Sequence, residues 1–380
     1  MAAAMNIVLL GGGHAHVFVL RAFGLRPEPG VQLTLVAKEL AAPYSGMLPG
    51  FVAGHYTLDQ CHIDLARLCR FAGARLIHGE ATGIDRATRE VAIKGQDPLA
   101  YDVLSIDVGI TPDLDHIDGA AEHALAVKPV SLFAAKWQEL ERRALLADGA
   151  RTFAVVGGGS AGVELVLAAA HRLRGASGER GLDPAAFRFR LIAGHCLLPG
   201  HNPRAGRLTA LALARAGVEV IAGDHASRVT REAVELVSGR TIKAGAVLVS
   251  TKAAAPGWFG ATGLALTADG FIATTGALQV TNDDNVFAVG DCASVARYPR
   301  PKSGVFAVRQ GPAVAANLRR RVRGESVVPF VPQETALALI SLGGKRAIAV
   351  YGGFAAAGSW AWHWKDRIDR AFIAKFSPPR

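Results

Sequence analysis

Two glycine clusters have the residue types and spacing to hold an anion. The first is Gly11-Gly12-Gly13-His14-Ala15-His16 and the second is Gly157-Gly158-Gly159-Ser160-Ala161-Gly162. Glycine permits a tight turn, and its missing side chain lets a pyrophosphate approach the N–H groups at a helix N-terminus. The second cluster keeps the full GxGxxG spacing, whereas His16 stands where the first would have its third glycine. One such cluster is a weak signal. Two of them, about 145 residues apart and each set between an apolar run and a helical pattern, are a much stronger one. Asp291 adds to them. The apolar run Val286–Val289 delivers Gly290 and Asp291 at a strand end, where a carboxylate can accept hydrogen bonds from a sugar-alcohol chain. Glu39 is the acidic residue nearest the end of the second strand, the place from which a carboxylate holds a ribose.

The thiols are sparse. Cys61, Cys69, Cys196 and Cys292 form no CxxC pair, which excludes a disulfide scaffold and points to a reducing compartment. No metal is expected.

The elements that must position these residues are readable. Asn6–Leu10 is a strand, and Val17, Leu20 and Phe23 mark the helix after the first turn. Val31–Ala37 is the next strand. Thr152–Val156, the helix Val163–Leu173 and the strand Phe187–Ala193 repeat the arrangement. Gly304–Leu318 reads as a helix. Leu337–Ile340 and Ala347–Val350 flank Gly343-Gly344 as a hairpin, followed by Trp360, Trp362 and Trp364. From Lys365 the spacing turns helical, with Ile368, Phe372, Ile373 and Phe376 on one face.

Half of the 380 residues are apolar and a fifth charged, which excludes disorder. No run is long and apolar enough for a membrane span, and residues 1–20 lack the basic start of a signal peptide. The net charge of +10 resides wholly in residues 300–380. A basic amphipathic helix beside tryptophans fits interfacial membrane binding; the alternatives are docking on the protein's own body or at a homodimer interface. Nucleic-acid binding is not expected, since base-reading modules are lacking.

These residues resemble the pyridine nucleotide–disulfide oxidoreductase superfamily over nearly the whole chain. The stretches Pro43–Gly50, Tyr101–Gly109, Lys302–Gln310 and Trp362–Arg370 resemble more narrowly the type II NADH dehydrogenase-like proteins, which also occur fused to selenophosphate synthetase. The resemblance implies an α/β fold with two doubly wound Rossmann-like dinucleotide-binding domains plus a small C-terminal hairpin-and-helix unit. FAD would occupy residues 1–115 and 255–325, NAD(P)H residues 116–254, and the C-terminal unit residues 326–380. The FAD site would use Gly11, Gly13, His14, Ala15, Glu39, Ser45, Gly109, Gly290 and Asp291. The NAD(P)H site would use Gly157, Gly159, Ser160, Gly162 and His195.

The resemblance also implies that Glu164 orients nicotinamide against flavin. The helix from Gly304 would point its N-terminus at the flavin, Lys302 would add a positive charge, and Gln310 would face a quinone. The alternatives are a first-turn helix acid, a surface lysine and a solvent-facing glutamine. Ser45 stands where a thiol relay would need cysteine, so electrons would pass directly to a quinone or other small acceptor. Three departures stand out: His16, Lys252 in place of a glycine, and Gly194-His195-Cys196 where an acid would select NADH. Without that acid the choice between NADH and NADPH stays open. The expected function is an FAD-dependent NAD(P)H dehydrogenase in the cytoplasm, with the inner face of the cell membrane as a docking place. A soluble reductase of a protein or a sulfur or selenium partner, and a non-enzymatic FAD-binding interaction protein, are the other readings.

Overall fold

The computed structural model describes residues 4–251, 253–298, 300, 302 and 304–377. Lys252, one of the departures noted above, lies outside them, as does Ser303.

Short, mainly apolar runs become strands, and the central ones are buried on both faces, as parallel sheets require. β1 (Met5–Leu10), β2 (Val31–Ala37), β3 (Arg75–His78) and β4 (Val103–Ile106) pair in parallel in the order β3-β2-β1-β4. Ile7 to Leu10 are fully buried. The chain then builds a second sheet from β5 (Ala124–Ala126), β6 (Thr152–Val156), β7 (Arg188–Gly194), β8 (Val218–Ala222) and β9 (Ala246–Val249). All pairs in it are parallel, in the order β5-β9-β6-β7-β8. The chain returns to the first sheet with β10 (Ile272–Thr274), β11 (Gln279–Val280), β12 (Asp283–Ala288) and β13 (Ala293–Val295). β12 pairs in parallel with β4, giving eight strands in the order β13-β10-β11-β12-β4-β1-β2-β3. The first sheet is therefore discontinuous in sequence.

Each sheet reverses its strand order at one strand. β1 lies between β2 and β4, and β6 between β7 and β9. Ligands in such sheets bind beyond the carboxyl end of that strand. Both glycine turns emerge there and open α1 (His14–Leu25) and α2 (Ser160–Gly178). α3 (Gly304–Val322) packs beside α1, with the Arg319 guanidinium over the Phe23 ring at 4.4 Å.

The C-terminal unit departs from the expected hairpin. β14 (Ala338–Ser341) and β15 (Ala347–Tyr351) are joined by a third strand, β16 (Phe354–Gly358), in one antiparallel sheet. Gly352 adopts a φ of 53°, which turns the chain back for the extra strand. α4 (Ser359–Lys375) begins six residues earlier than its periodicity suggests, so all three tryptophans lie on the helix. Its expected apolar face also divides. The Phe372 ring stacks on Tyr44 at 4.3 Å and Phe376 meets Phe18 edge-on at 4.8 Å, so this side docks on the body. Ile368 is 40% exposed and shares a stripe with Trp360 and Trp364, at intervals of four residues.

Candidate cofactor and substrate site

The first site forms where the ends of β1, β4 and β12 meet. Gly11 has a φ of 89°, and a Cβ on it would overlap the Asp107 carbonyl. Only glycine closes this turn. Asp107 follows β4 and is almost wholly buried. Its Oδ2 accepts the N–H groups of Ala15 at 2.8 Å and His16 at 3.1 Å, capping α1. Burial pushes its carboxyl up to about 7 against the pull of those two bonds, and Asp291 pushes the same way.

His16 explains how the first turn manages without its third glycine. In the second turn a Cβ at Gly162 would overlap the Gly157 carbonyl. His16 instead donates from Nδ1 to the Gly11 carbonyl at 2.7 Å, and its Nε2 accepts the Ser105 hydroxyl at 2.8 Å. Burial holds the ring neutral by lowering its pKa to about 4.

β12 hands on to a one-turn helix, Gly290–Cys292, which presents Asp291. The Lys128 ammonium pairs with Asp291 at 2.7 Å. Gln310 does not face solvent; its Oε1 accepts the Gly290 N–H at 2.6 Å and so fixes the turn that carries Asp291. Lys302 is no surface lysine. Its ammonium donates to the Ala293 carbonyl and sits 4.1 Å from the Phe271 ring, and burial lowers its pKa. Lys302, Gln310, Gly290 and Asp291 line one cleft.

His14 and Ser45 approach the same place. A Cβ on Gly304 would lie 3.2 Å from Ser45 Oγ and 3.9 Å from the His14 ring, so the start of α3 touches both. His14 Nε2 is buried with no hydrogen-bond partner among the described residues. Burial lowers its pKa to about 4, so it remains neutral. Gly109 has a φ of 78° with open space beside it. Glu39 lies two residues beyond β2 and accepts the Ser131 hydroxyl. A glycine cradle, an orphaned histidine nitrogen and a carboxylate at the strand end suit a dinucleotide whose polar groups complete these bonds.

The second site repeats the design. Gly157 has a φ of 128°, and Gly159 precedes α2 as its N-cap. Ser160 Oγ lies 3.2 Å from His201 Nε2, and the Leu198 N–H donates to the Gly158 carbonyl at 2.8 Å, folding the loop after β7 over the turn. His195 stands in that loop with its ring 4.5 Å from His225. Glu164 occupies the second turn of α2, not the first. Its Oε1 accepts the Ser341 N–H at 2.8 Å, and burial pushes its pKa up to about 7, with Lys365 opposing. The Lys365 ammonium in turn bonds Asp369 at 2.7 Å and the Gly46 carbonyl at 2.6 Å. The C-terminal unit thus ties Glu164 to the segment of Ser45.

Lys128 and Ser341 carry no sequence signal as site residues, and Lys365 lies in a quoted motif without one of its own. Asp107 lies within a quoted motif but gains its meaning only from the fold. The cysteines fit a passive role. Cys292 is wholly buried, with its thiol pushed up to about 12 and donating to the Val289 carbonyl at 3.1 Å. Cys61 and Cys69 lie on either side of the strand His62–Asp64, and both are buried. Cys196 is exposed in the loop after β7. No group of three metal-ligating side chains occurs among the described residues.

The model of the pyridine nucleotide-disulphide oxidoreductase family matches residues 5–311, and the chain belongs to that family of FAD- and NAD(P)H-binding proteins. The NADH dehydrogenase-like protein YutJ of Bacillus subtilis is 23% identical, covering 90% of this chain and 91% of its own. The type II NADH:quinone oxidoreductase of Staphylococcus aureus is 25% identical, with 97% and 95% covered. The sulfide:quinone oxidoreductase structure from Aquifex aeolicus superposes with a TM-score of 0.82 at 19% identity, covering 98% of this chain and 92% of that one.

Proposed function

We propose that the protein is an FAD-dependent NAD(P)H dehydrogenase that passes two electrons to a quinone-type acceptor. The carrying observation is Glu164, a buried carboxyl on the second glycine helix that accepts the Ser341 N–H and lies within the field of Lys365, whose ammonium bonds the Gly46 carbonyl of the first site. In this reading residues 1–115 and 255–325 bind FAD, residues 116–254 bind NAD(P)H, and the rest covers the acceptor side. FAD, when bound, takes a hydride from the nicotinamide and gives two electrons to the acceptor. Gly157, Gly159, Ser160 and Gly162 hold the NAD(P)H pyrophosphate, with His195 beside the adenosine. Gly11, Gly13, His14, Ala15, Ser45 and Gly109 cradle FAD, Glu39 serves the adenosine ribose, and Asp291, steadied by Lys128 and Gln310, the sugar-alcohol chain.

The chain's own proton chemistry is consistent with this role. Reducing a quinone with NAD(P)H consumes one proton from solvent per turnover. Glu164, which burial brings to a pKa of about 7 against the opposing charge of Lys365, can hold that proton. The start of α3 and Lys302 supply positive potential to the cleft. No thiol competes as a relay, since Ser45 holds the position next to His14 and Cys292 is buried away. The names of the relatives above support a quinone as acceptor.

The acceptor would arrive from a membrane surface. No described helix is long and apolar enough to cross one. The exposed stripe Trp360, Trp364 and Ile368, together with Tyr351 and Phe354, is apolar and lies in the basic part of the chain. A kinship with the proteins fused to selenophosphate synthetase rests on the quoted motifs alone. Stopped-flow mixing under anaerobic conditions, followed by reoxidation with a short-chain quinone, tests the reading. A reduced enzyme that quinone fails to reoxidise overturns the acceptor.

A further inference from the structure

Asp107 is a carboxyl set between the two glycine turns of the first site. A Cβ on Gly13 or on Gly290 would overlap it, and only 4% of the residue is exposed. Its Oδ2 is spent on the N–H groups of Ala15 and His16. Its Oδ1 has no hydrogen-bond partner among the described residues. Among the described residues the second site has no such group. There Ser250 takes the equivalent place, since a Cβ on Gly157 would overlap the Ser250 carbonyl as one on Gly11 would overlap that of Asp107.

An ionised carboxylate at this place would set a bare negative oxygen where the turn receives a diphosphate. A protonated one would offer an O–H to the same phosphate oxygens. We propose that Asp107 donates a hydrogen bond from Oδ1 to the diphosphate of FAD, and that FAD binding is thereby coupled to uptake of one proton from solvent. This rests on the reading that the first glycine turn holds FAD.

The surroundings agree with the proton's place. Burial is the largest influence on Asp107 and holds its carboxyl near 7, so protonated and ionised forms coexist around neutrality. Asp291 faces it and adds to the effect, although Lys128 pairs with Asp291. His14 and His16 are held neutral by burial, and the Cys292 thiol remains protonated, so none of them supplies a compensating cation. The α1 N-terminus favours the ionised form, but burial outweighs it. A diphosphate adds negative charge and selects the protonated form. The linkage then has one sign: affinity for FAD is full below the pKa of the free carboxyl and falls as pH rises above it.

The test uses the full-length holoprotein, diluted until FAD dissociates, with released FAD read by its own fluorescence. Between about pH 6.5 and about pH 9 at fixed ionic strength, the wild-type dissociation constant is expected to rise by up to about tenfold per pH unit above the carboxyl's pKa. Asp107→Asn keeps an acceptor for the Ala15 and His16 N–H groups and presents an amide N–H that does not titrate. Its dissociation constant should be flat across the range and about tenfold or more below wild type at the alkaline end. A flat wild-type profile overturns the proposal whatever the variant does. So does an Asp107→Asn protein that keeps the wild-type slope. A chain that retains no FAD at any pH overturns both the proposal and the reading beneath it.

Discussion

The ion pair between Lys128 and Asp291 joins residues 163 apart in sequence at 2.7 Å. Asp291 is the more buried partner, so removing Lys128 leaves a carboxylate that neither solvent nor a cation fully satisfies. The Lys128→Met variant should lose roughly 1–2 kcal/mol, less than a fully buried pair because Lys128 is partly solvated. It should also retain less flavin after gel filtration, read as the ratio of flavin to protein absorbance. Unchanged flavin content would remove Asp291 from the site. Glu164 carries a second expectation. Its folded pKa lies above the ordinary carboxylate value, so the folded state holds a proton that the unfolded state has released. That contribution is complete below about pH 4.5 and is lost as pH rises through about 7. Stability of Glu164→Gln relative to wild type should therefore grow with pH across that window, by up to about 1.4 kcal/mol per pH unit in urea titrations. A constant difference would mean that Glu164 is ionised throughout.

The glycine turns and their helices were legible because the physics there is local. Gly11 and Gly157 need positive φ and a bare α-carbon, and the apolar runs before them can only be buried strands. Gly162→Ala should abolish reduction by nicotinamide dinucleotide while FAD stays bound, because the new Cβ would overlap the Gly157 carbonyl. The C-terminal unit was read less well. Its third strand, Phe354–Gly358, is mostly alanine and glycine and carries no alternation to betray it. The α4 boundary was blurred because its large apolar residues follow one row at intervals of four that drifts around the helix, from the outward Trp360 and Trp364 to Phe372 and Phe376 against Tyr44 and Phe18. Phe376 is almost wholly buried, and Phe376→Ala should cost about 3–5 kcal/mol in chemical denaturation, marking α4 as part of the folded body. A cost near zero would detach the helix from it. Lys128 and Ser341 stayed invisible, and the bond of Lys365 to Gly46 with them, because these partners lie far away in sequence and no spacing rule reaches across two sheets.

Taken whole, the molecule sets two dinucleotide cradles on separate parallel sheets and closes them with a C-terminal unit that touches both. Ser341 reaches Glu164 beside the second cradle, and Lys365 reaches Gly46 beside the first. The excess of positive charge falls in the last part of the chain, the same part that carries the outward stripe of α4. Sedimentation with vesicles containing anionic lipid should carry the wild-type protein down at low salt. The variant carrying Trp360→Ser and Trp364→Ser should stay in solution with its flavin intact. Equal sedimentation of both would take the membrane surface out of the account.

The most direct test of the central claim is anaerobic. Purified protein is mixed with NADH and, separately, with NADPH, and flavin absorbance near ~450 nm is followed, the cofactor's own signal. Rapid bleaching by at least one of them is expected, lost in Gly162→Ala and restored to the oxidised spectrum by quinone. FAD that stays bound and oxidised with both nucleotides would contradict it.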